Sequence, residues 1–116
     1  MNTKISNGVD DCIFCKIASG EIPAEIIAED DDFIAFLDVK PVAPGHTLLI
    51  PKKHYRWFYD IPDDEYTALF LKAKQIIPEL KQRYDAEYVK LGAVGTDVPH
   101  THIHLIPRNI APNEPV

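Results

Sequence analysis

The sequence is short of positive charge and of cysteine, and it has no long apolar run. Its 12 Lys and Arg side chains stand against 18 Asp and Glu, which gives a net charge of −6. Nucleic acids and anionic membrane surfaces need a basic footprint, so we expect neither as a partner. No apolar run approaches the roughly 18 residues of a spanning helix, and the start lacks the apolar segment of a signal peptide. We therefore expect a cytoplasmic protein.

The length of 116 residues leaves room for one small domain, which we place at 1–116. Apolar residues make up 46% of the chain and charged residues 26%, so a packed core is expected and wholesale disorder is not. We expect a loose segment at 1–10 and a short tail at 109–116, because both stretches are polar and lie at the ends.

Hydrophobic spacing predicts an α+β fold: a mainly antiparallel sheet with one long helix and a short N-terminal helix. The short helix is predicted at 12–19, where Gly20 ends it, and the long one at about 62–84. Inside the long helix, Pro78 lacks a backbone N–H and predicts a kink or an early end. The strands are predicted at 25–29, 33–37, 46–50, 88–94 and 100–106, the first two joined by an acidic turn.

The five histidines fall into two groups along the chain: His46 and His54, then His100, His102 and His104. The last three alternate with Thr and Ile, so on a strand they would share one face while Ile103 and Leu105 enter the core. Three imidazoles on one face suit a metal site, or nucleophilic and electrostatic catalysis at phosphorus, because imidazole is a neutral nucleophile near pH 7. A solvated polar strand face is the alternative without a function.

The segment VPHTHIHLIPR, at 98–108, resembles the signature of the histidine triad (HIT) family. Residues 11–54 are similar to the N-terminal half of bacterial members, and together the resemblance covers roughly 11–108. Members of this family are nucleotide-binding hydrolases and transferases that cleave a P–N, P–O or P–S bond at the α-phosphate of a nucleotide. The resemblance thus implies a HIT-like fold, a covalent nucleotidyl-histidine intermediate, a purine nucleotide substrate and a homodimer.

The same resemblance implies roles for individual residues. His102 is the nucleophile, and His104 and His46 donate hydrogen bonds to the phosphate. Asp38 accepts hydrogen bonds from both ribose hydroxyls, which a carboxylate can do. The base lies among apolar side chains, for which the candidates are Phe14, Ile17, Ile22, Phe36, Leu37 and Val39. For Phe36 a plain core position is an equally good interpretation.

The two cysteines, Cys12 and Cys15, form a poor disulfide framework and one half of a plausible metal site. The resemblance implies a structural Zn²⁺ held by these two thiols together with His54 and His100, a Cys2His2 set that suits tetrahedral zinc. Zinc would tie the N-terminal helix to the sheet and help a small domain to fold. The alternatives are a bare pair of buried thiols or a redox motif.

The segment KLGAVGTDVPH, at 90–100, departs from the family pattern. Its loop is a few residues short, the phosphate-contacting Asn has no counterpart, and Asp97 stands where Ser or Thr normally contacts phosphate. A carboxylate there would repel an α-phosphate by about 1–4 kcal/mol. The short tail favours the phosphoramidase-like branch of the family.

Two functions therefore compete. The first is a hydrolase or transferase that acts through His102 on adenosine phosphoramidates or dinucleoside polyphosphates. The second is a nucleotide-binding or scaffold module in which Asp97 and the short loop weaken catalysis. A third interpretation, a zinc-only regulatory domain, explains the cysteines but leaves His46, His102 and His104 without a role.

Overall fold

A computed structural model describes residues 11–110; the predicted loose segment at 1–10 and most of the predicted tail lie outside this range. The elements in chain order are α1 (Ile13–Ser19), β1 (Ile26–Glu29), β2 (Phe33–Leu37), β3 (Thr47–Pro51), a 3₁₀ turn (Phe58–Asp60), α2 (Asp63–Arg83), β4 (Tyr88–Gly92) and β5 (Ile103–Arg108). The predicted α+β class is confirmed: two helices and a five-stranded antiparallel sheet. Neither helix within the described range is long and apolar enough to cross a membrane.

The sheet order β1-β2-β3-β5-β4 brings the two halves of the chain together at β3 and β5. Leu48 of β3 pairs with His104 of β5, and Phe36 of β2 pairs with Leu48 on its other side. Directly opposed residues in an antiparallel sheet point to the same face. His104 therefore shares a face with Phe36 and Leu48, and His46, next to the first residue of β3, lies beside β5.

Both faces of the sheet are covered, which explains why β2 and β3 are apolar almost throughout. On one face α2 packs against a core cluster that includes Ala35, Leu49, Ile103 and Leu105. On the other face the much shorter α1 places Phe14 and Cys12 against Ile34, Phe36, Leu48 and Ile50. The histidines lie on this second face. Because α1 is only seven residues long, it leaves part of that face available for a site.

Helix α2 runs through Pro78 and continues to Arg83, which confirms the predicted range of about 62–84. Of the two outcomes considered at Pro78, the early end does not occur. Proline inside a helix costs about 3 kcal/mol, because a backbone hydrogen bond is lost and the ring crowds the preceding turn. Ile76 and Leu80, on either side of it, are both buried against the sheet. Burial of such side chains contributes about 1.5–3 kcal/mol each. The packing of these two residues therefore offsets the cost and keeps the last turns of α2 in place.

The last strand begins later than predicted, at Ile103 instead of residue 100. Thr101 donates two hydrogen bonds to the carbonyl oxygen of Tyr55, from its backbone N–H at 2.6 Å and from its hydroxyl at 2.8 Å. These bonds hold the segment before β5 against a loop and not against a neighbouring strand. The prediction of one strand that carries His100, His102 and His104 is therefore wrong, since only His104 lies in a strand. The rings of His100 and His102 nevertheless lie on the α1 side, where Phe14 contacts both.

Candidate active site and metal centre

The structure sorts the histidines into two clusters. The rings of His102 and His104 have centroids 4.9 Å apart, and those of His46 and His104 lie 5.1 Å apart. His100 turns the other way, toward His54, with a centroid separation of 4.9 Å. His46, His102 and His104, predicted as the catalytic group, thus come together, and His54 and His100 join the two cysteines.

The two ring nitrogens of His102 have different surroundings. Its Nδ1 donates to the backbone carbonyl oxygen of His100 at 2.7 Å, which places the proton on Nδ1 and the lone pair on Nε2. The side chain is almost fully buried, and Nε2 has no hydrogen-bond partner among residues 11–110. Asp97 approaches it, with Oδ1 at 3.2 Å, but forms no hydrogen bond with it. A buried lone pair without a donor is the feature expected of a nucleophile.

His46 and His104 form a chain of hydrogen bonds that begins at a backbone amide. The N–H of Val42 donates to Nδ1 of His46 at 3.2 Å, so the proton of a neutral His46 lies on Nε2. That Nε2 donates to Nδ1 of His104 at 2.9 Å, which places the proton of a neutral His104 on its own Nε2. Nδ1 of His104 is thus used as an acceptor, and its Nε2–H is the donor that the pair can offer to a ligand.

Burial favours these neutral forms. It is the main cause that lowers the pKa of His46, against the opposing charge of Asp38. Burial also lowers the pKa of His104, helped by the neighbouring His102 and His46. Both imidazoles therefore keep the single proton on which the donor chain depends when the pH is near neutral.

Asp38 lies at the edge of the same cluster. Its backbone N–H continues the pairing of β2 with β3 by donating to the carbonyl oxygen of His46 at 2.9 Å. One carboxylate oxygen accepts the N–H of Lys40 at 2.9 Å, and the other is 3.6 Å from Nε2 of His46. Asp38 is thus fixed in a turn beside the candidate phosphate-binding imidazoles.

The six apolar candidates for a base-binding pocket divide by burial. Phe14 and Phe36 are buried and meet edge to face, with centroids 5.7 Å apart, and the ring of Phe14 is 5.1 Å from that of His102. Both belong to the core cluster on the α1 face. Ile17, Ile22 and Leu37 are half-buried, and Val39 is 90% exposed. The two phenylalanines therefore connect the core to the site, while the other four lie nearer the surface.

The second cluster brings four soft or nitrogen donors within reach of one ion. Sγ of Cys12 and of Cys15 each lie 3.4 Å from Nδ1 of His100, and Sγ of Cys15 lies 3.2 Å from Nδ1 of His54. One donor atom from each of the four residues lies within 4.8 Å of all the others. Tetrahedral zinc, with bonds of about 2.3 Å to sulfur and 2.0 Å to nitrogen, separates sulfur from nitrogen by about 3.5 Å. The donor set therefore fits zinc.

The orientation of His100 supports this fit. Its Nε2 donates to the carbonyl oxygen of Pro51 at 2.8 Å, which leaves the lone pair of Nδ1 directed at the thiols. The ring is fully buried, and burial is the main cause that lowers its pKa to about 4. Burial also lowers the pKa of His54. Neutral imidazoles are the form that binds a metal.

Some features of the site could not be read from side-chain types. The carbonyl oxygens of Pro51 and Tyr55 and the amide of Val42 orient three of the side chains, and backbone groups carry no residue signature. The side chain of Tyr55 donates to Glu65 at 2.8 Å and joins the loop after β3 to α2. A pattern of apolar and polar residues does not identify such contacts.

Comparison with known proteins agrees with this geometry. The HIT domain model matches residues 19–110. An uncharacterized HIT-like protein of Methanocaldococcus jannaschii is 44% identical over 84% of this chain and 78% of its own. Two further relatives have named activities. They are an adenosine 5'-monophosphoramidase of Saccharomyces cerevisiae, 40% identical over 84% of this chain and 62% of its own, and an adenylylsulfatase of Arabidopsis thaliana, 36% identical over 85% and 53%.

Solved structures give the same result. A HIT family member from Bacillus subtilis superposes with a TM-score of 0.81 at 35% identity, over 85% of this chain and 74% of that one. A zinc-bound histidine triad protein from Mycobacterium smegmatis superposes with a TM-score of 0.81 at 30% identity, over 89% and 78%. The fold, the arrangement of the histidines and these similarities agree, and the chain belongs to the HIT family.

Proposed function

We propose that this protein is a nucleotide hydrolase or transferase that cleaves at the α-phosphate of adenosine phosphoramidates or dinucleoside polyphosphates through a nucleotidyl-His102 intermediate. The observation that carries this proposal is the buried Nε2 of His102, which has no hydrogen-bond partner among residues 11–110 while Nδ1 is held by the His100 carbonyl. The named activities of the yeast and plant relatives support the same class of reaction.

In the proposed reaction, the α-phosphorus approaches Nε2 of His102, whose lone pair forms the N–P bond as the bond to the leaving group breaks. The Nε2–H of His104 donates to a phosphoryl oxygen, where negative charge grows in the transition state. His46 keeps that proton in place through the 2.9 Å bond to His104. Water then attacks phosphorus, the N–P bond breaks, and the nucleotide leaves with His102 restored.

The nucleoside would bind between Asp38 and the apolar candidates. Asp38 is placed to accept the ribose hydroxyls while its other oxygen keeps the turn closed through Lys40. Phe14 and Phe36 would form the buried floor beneath a purine base, and Ile17, Ile22, Leu37 and Val39 its more exposed walls. A purine nucleotide is the ligand that this arrangement and the family relationship favour.

The four donors Cys12, Cys15, His54 and His100 would hold a structural Zn²⁺. When bound, this ion contributes folding free energy and has no open position for chemistry. Its ligands join α1, the loop after β3 and the segment before β5. We also propose a homodimer and a cytoplasmic location, which both rest on the sequence; light scattering tests the first.

The test is release of AMP from an adenosine phosphoramidate and, separately, from a diadenosine polyphosphate. The wild type should release AMP, and a quenched sample should carry a nucleotide adduct by mass spectrometry. His102→Gly should do neither, and added imidazole should restore part of the turnover by filling the space of the missing ring. Activity in His102→Gly without imidazole, equal to that of the wild type, would contradict the proposal.

A second function is favoured by one observation, the carboxylate of Asp97 near the nucleophile. If that charge keeps the phosphate away, the protein is a nucleotide-binding or scaffold module with weak or no catalysis. Nucleotide binding by calorimetry without turnover of either substrate would favour this alternative. Absence of both binding and turnover would leave a zinc-only domain.

A further inference from the structure

Asp97 lies where it must influence any group that reacts with His102. Its Oδ1 is 3.2 Å from Nε2 of His102, and its side chain is 67% exposed, so bound substrate can reach it. Attack requires phosphorus to come within about 3.3 Å of Nε2. The carboxylate then lies no more than about 6.5 Å from the reacting phosphorus, whatever the direction of approach.

Within the part of the chain that the structure describes, the charge of Asp97 has no permanent counter-ion. Among residues 11–110, no Lys or Arg forms an ion pair with it, and the neutral His102, with Nε2 at 3.2 Å from Oδ1, supplies no balancing charge. Partial burial works to raise the pKa of Asp97, but backbone N–H groups of Asp97 and Val98 and the nearby imidazoles lower it more, so that the pKa lies below its usual value. Near neutral pH the site therefore carries a fixed negative charge beside the nucleophile.

Such a charge acts differently on the two classes of leaving group. An amine that leaves a P–N bond takes up a proton and becomes positive, whereas a polyphosphate or a sulfate leaves as an anion. A unit charge at about 6–9 Å changes a rate by about 2- to 100-fold between effective dielectric constants of 80 and 20. The carboxylate thus favours the first class and disfavours the second.

We propose that Asp97 is the residue that determines leaving-group specificity, so that the protein prefers nucleoside phosphoramidates of neutral or cationic amines and discriminates against anionic leaving groups. The proposal rests on the proposed attack of His102 on the α-phosphate. In that step the N–P bond to His102 forms and the P–N bond to the amine breaks. The amine takes a proton from solvent, and water later releases the nucleotide and returns a proton.

The experiment uses three adenosine 5'-phosphoramidates of similar size. Their leaving amines differ in the charge of the group away from the reacting nitrogen, which is positive in ethylenediamine, neutral in propylamine and negative in glycine. For the wild type, kcat/KM should fall in that order, with about a tenfold difference between the first and the last. The difference should shrink as salt is added, because the groups concerned are exposed to solvent.

Substitutions at Asp97 should change this order while the fold is kept. Asp97→Asn should bring the three values of kcat/KM within about twofold of one another, and Asp97→Lys should reverse the order. Asp31→Asn is the matched control: it removes the same charge from an exposed turn and should keep the wild-type order. Zinc content and the thermal midpoint show whether each variant is folded.

The outcomes separate this inference from the proposed function. AMP release that requires His102 but keeps the same order of substrates in Asp97→Asn would overturn the inference alone. An order in which the glycine compound is the best substrate of the wild type would also overturn it. No AMP release from the three compounds, while a diadenosine polyphosphate still yields AMP, would overturn this inference and leave the proposed function standing. No AMP release from either class of substrate would overturn the proposed function and this inference with it.

Discussion

The two histidine clusters include His100 and His102, which are separated by a single residue in the chain, yet the ring nitrogens of these two residues differ in their contacts. In the candidate metal centre, both ring nitrogens of His100 have a contact: Nδ1 faces the thiols and Nε2 donates to the carbonyl oxygen of Pro51. In the candidate active site, Nε2 of His102 is buried and has no hydrogen-bond partner within the described range. An unsatisfied buried polar atom costs about 1–3 kcal/mol. Such a cost is expected where the atom is needed for chemistry.

His100 also links the clusters. Its ring belongs to the candidate metal centre, while its backbone carbonyl oxygen accepts the N–H of His102 Nδ1 at 2.7 Å. A metal ion at the candidate centre would therefore stabilise the fold and, through the same residue, hold the proposed nucleophile in place. Substitutions in the candidate metal centre should therefore act mainly on stability, and substitutions in the candidate active site mainly on turnover.

The largest expected effect is on turnover at His102. His102→Asn should lower AMP release from an adenosine phosphoramidate by at least about 1000-fold, because the nucleophilic nitrogen is removed. The amide N–H of Asn can still donate to the His100 carbonyl, so the free energy of unfolding should fall by no more than about 1–2 kcal/mol. Chemical denaturation and a steady-state assay measure the two quantities. A large loss of stability with little loss of turnover would contradict the division.

The next largest effect is on stability at the metal centre. Cys12→Ser removes a thiolate but keeps a good helix N-cap, since Sγ of Cys12 accepts the N–H of Cys15 at the start of α1. The variant should bind zinc weakly, and its unfolding free energy should lie below that of zinc-saturated wild type by about 4 kcal/mol when free zinc is 1000-fold above Kd.

A chelator provides the control for that prediction. It should lower the thermal midpoint of the wild type toward that of Cys12→Ser and leave the variant almost unchanged. Zinc content by elemental analysis should be about one ion per chain in the wild type. A wild type without zinc whose midpoint does not respond to metal would contradict the assignment.

A smaller effect is expected at Gly45, directly before His46. Gly45 has φ +84°, in the left-handed region, and an added Cβ would overlap the ring of Tyr84. Gly45→Ala should cost about 1–3 kcal/mol and also lower turnover, because it displaces His46. Gly92→Ala is the control: a Cβ there meets no atom within 4 Å, and its cost should stay below about 1 kcal/mol. Equal stability of the two variants would argue against this account of the turn.

The sequence predicts most of the fold because its signals are local. Apolar spacing locates α1 and α2, and the β1–β2 hairpin follows from two apolar runs around an acidic turn. The start of β5 is missed because Thr101 is bound by Tyr55, a residue 46 positions away. The range of α2 is predicted correctly, but the early end considered at Pro78 does not occur, because contacts with the sheet hold the last turns in place.

The sequence likewise predicts some features of the site and misses others. Motif spacing and the family resemblance identify the histidines and cysteines that come together here, since those residue types carry the chemistry themselves. The spacing does not predict which nitrogen of each ring carries the proton, because Val42, Pro51 and the His100 carbonyl decide it through the backbone. Asp97 is noticed in the sequence only as a departure from the family, and its distance from His102 gives that departure a consequence.

The smallest expected effect is a change of stability with pH that depends on His46. Burial lowers the pKa of His46 below the value near 6.5 that it has in the unfolded chain. As the pH falls through about 6.5, the unfolded state therefore takes up a proton before the folded state does. The stability that depends on neutral His46 is fully present above that pH and is lost below it. Protonation of Nδ1 of His46 would also place its new N–H against the N–H of Val42. The hydrogen bond between them would be lost, and with it the chain of donors to His104.

The measurement is urea denaturation of the wild type and of His46→Gln at several pH values between about 5 and 8. Zinc ligands also take up protons at low pH, but they do so in both proteins, so the difference between the two curves isolates His46. Below pH 6.5 the wild type should lose stability more steeply than His46→Gln, and above pH 7 the two slopes should be equal. Parallel curves over the whole range would show that His46 is as easily protonated in the folded protein as in the unfolded one. That result would remove the physical basis for the chain of hydrogen bonds in which a neutral His46 donates to His104.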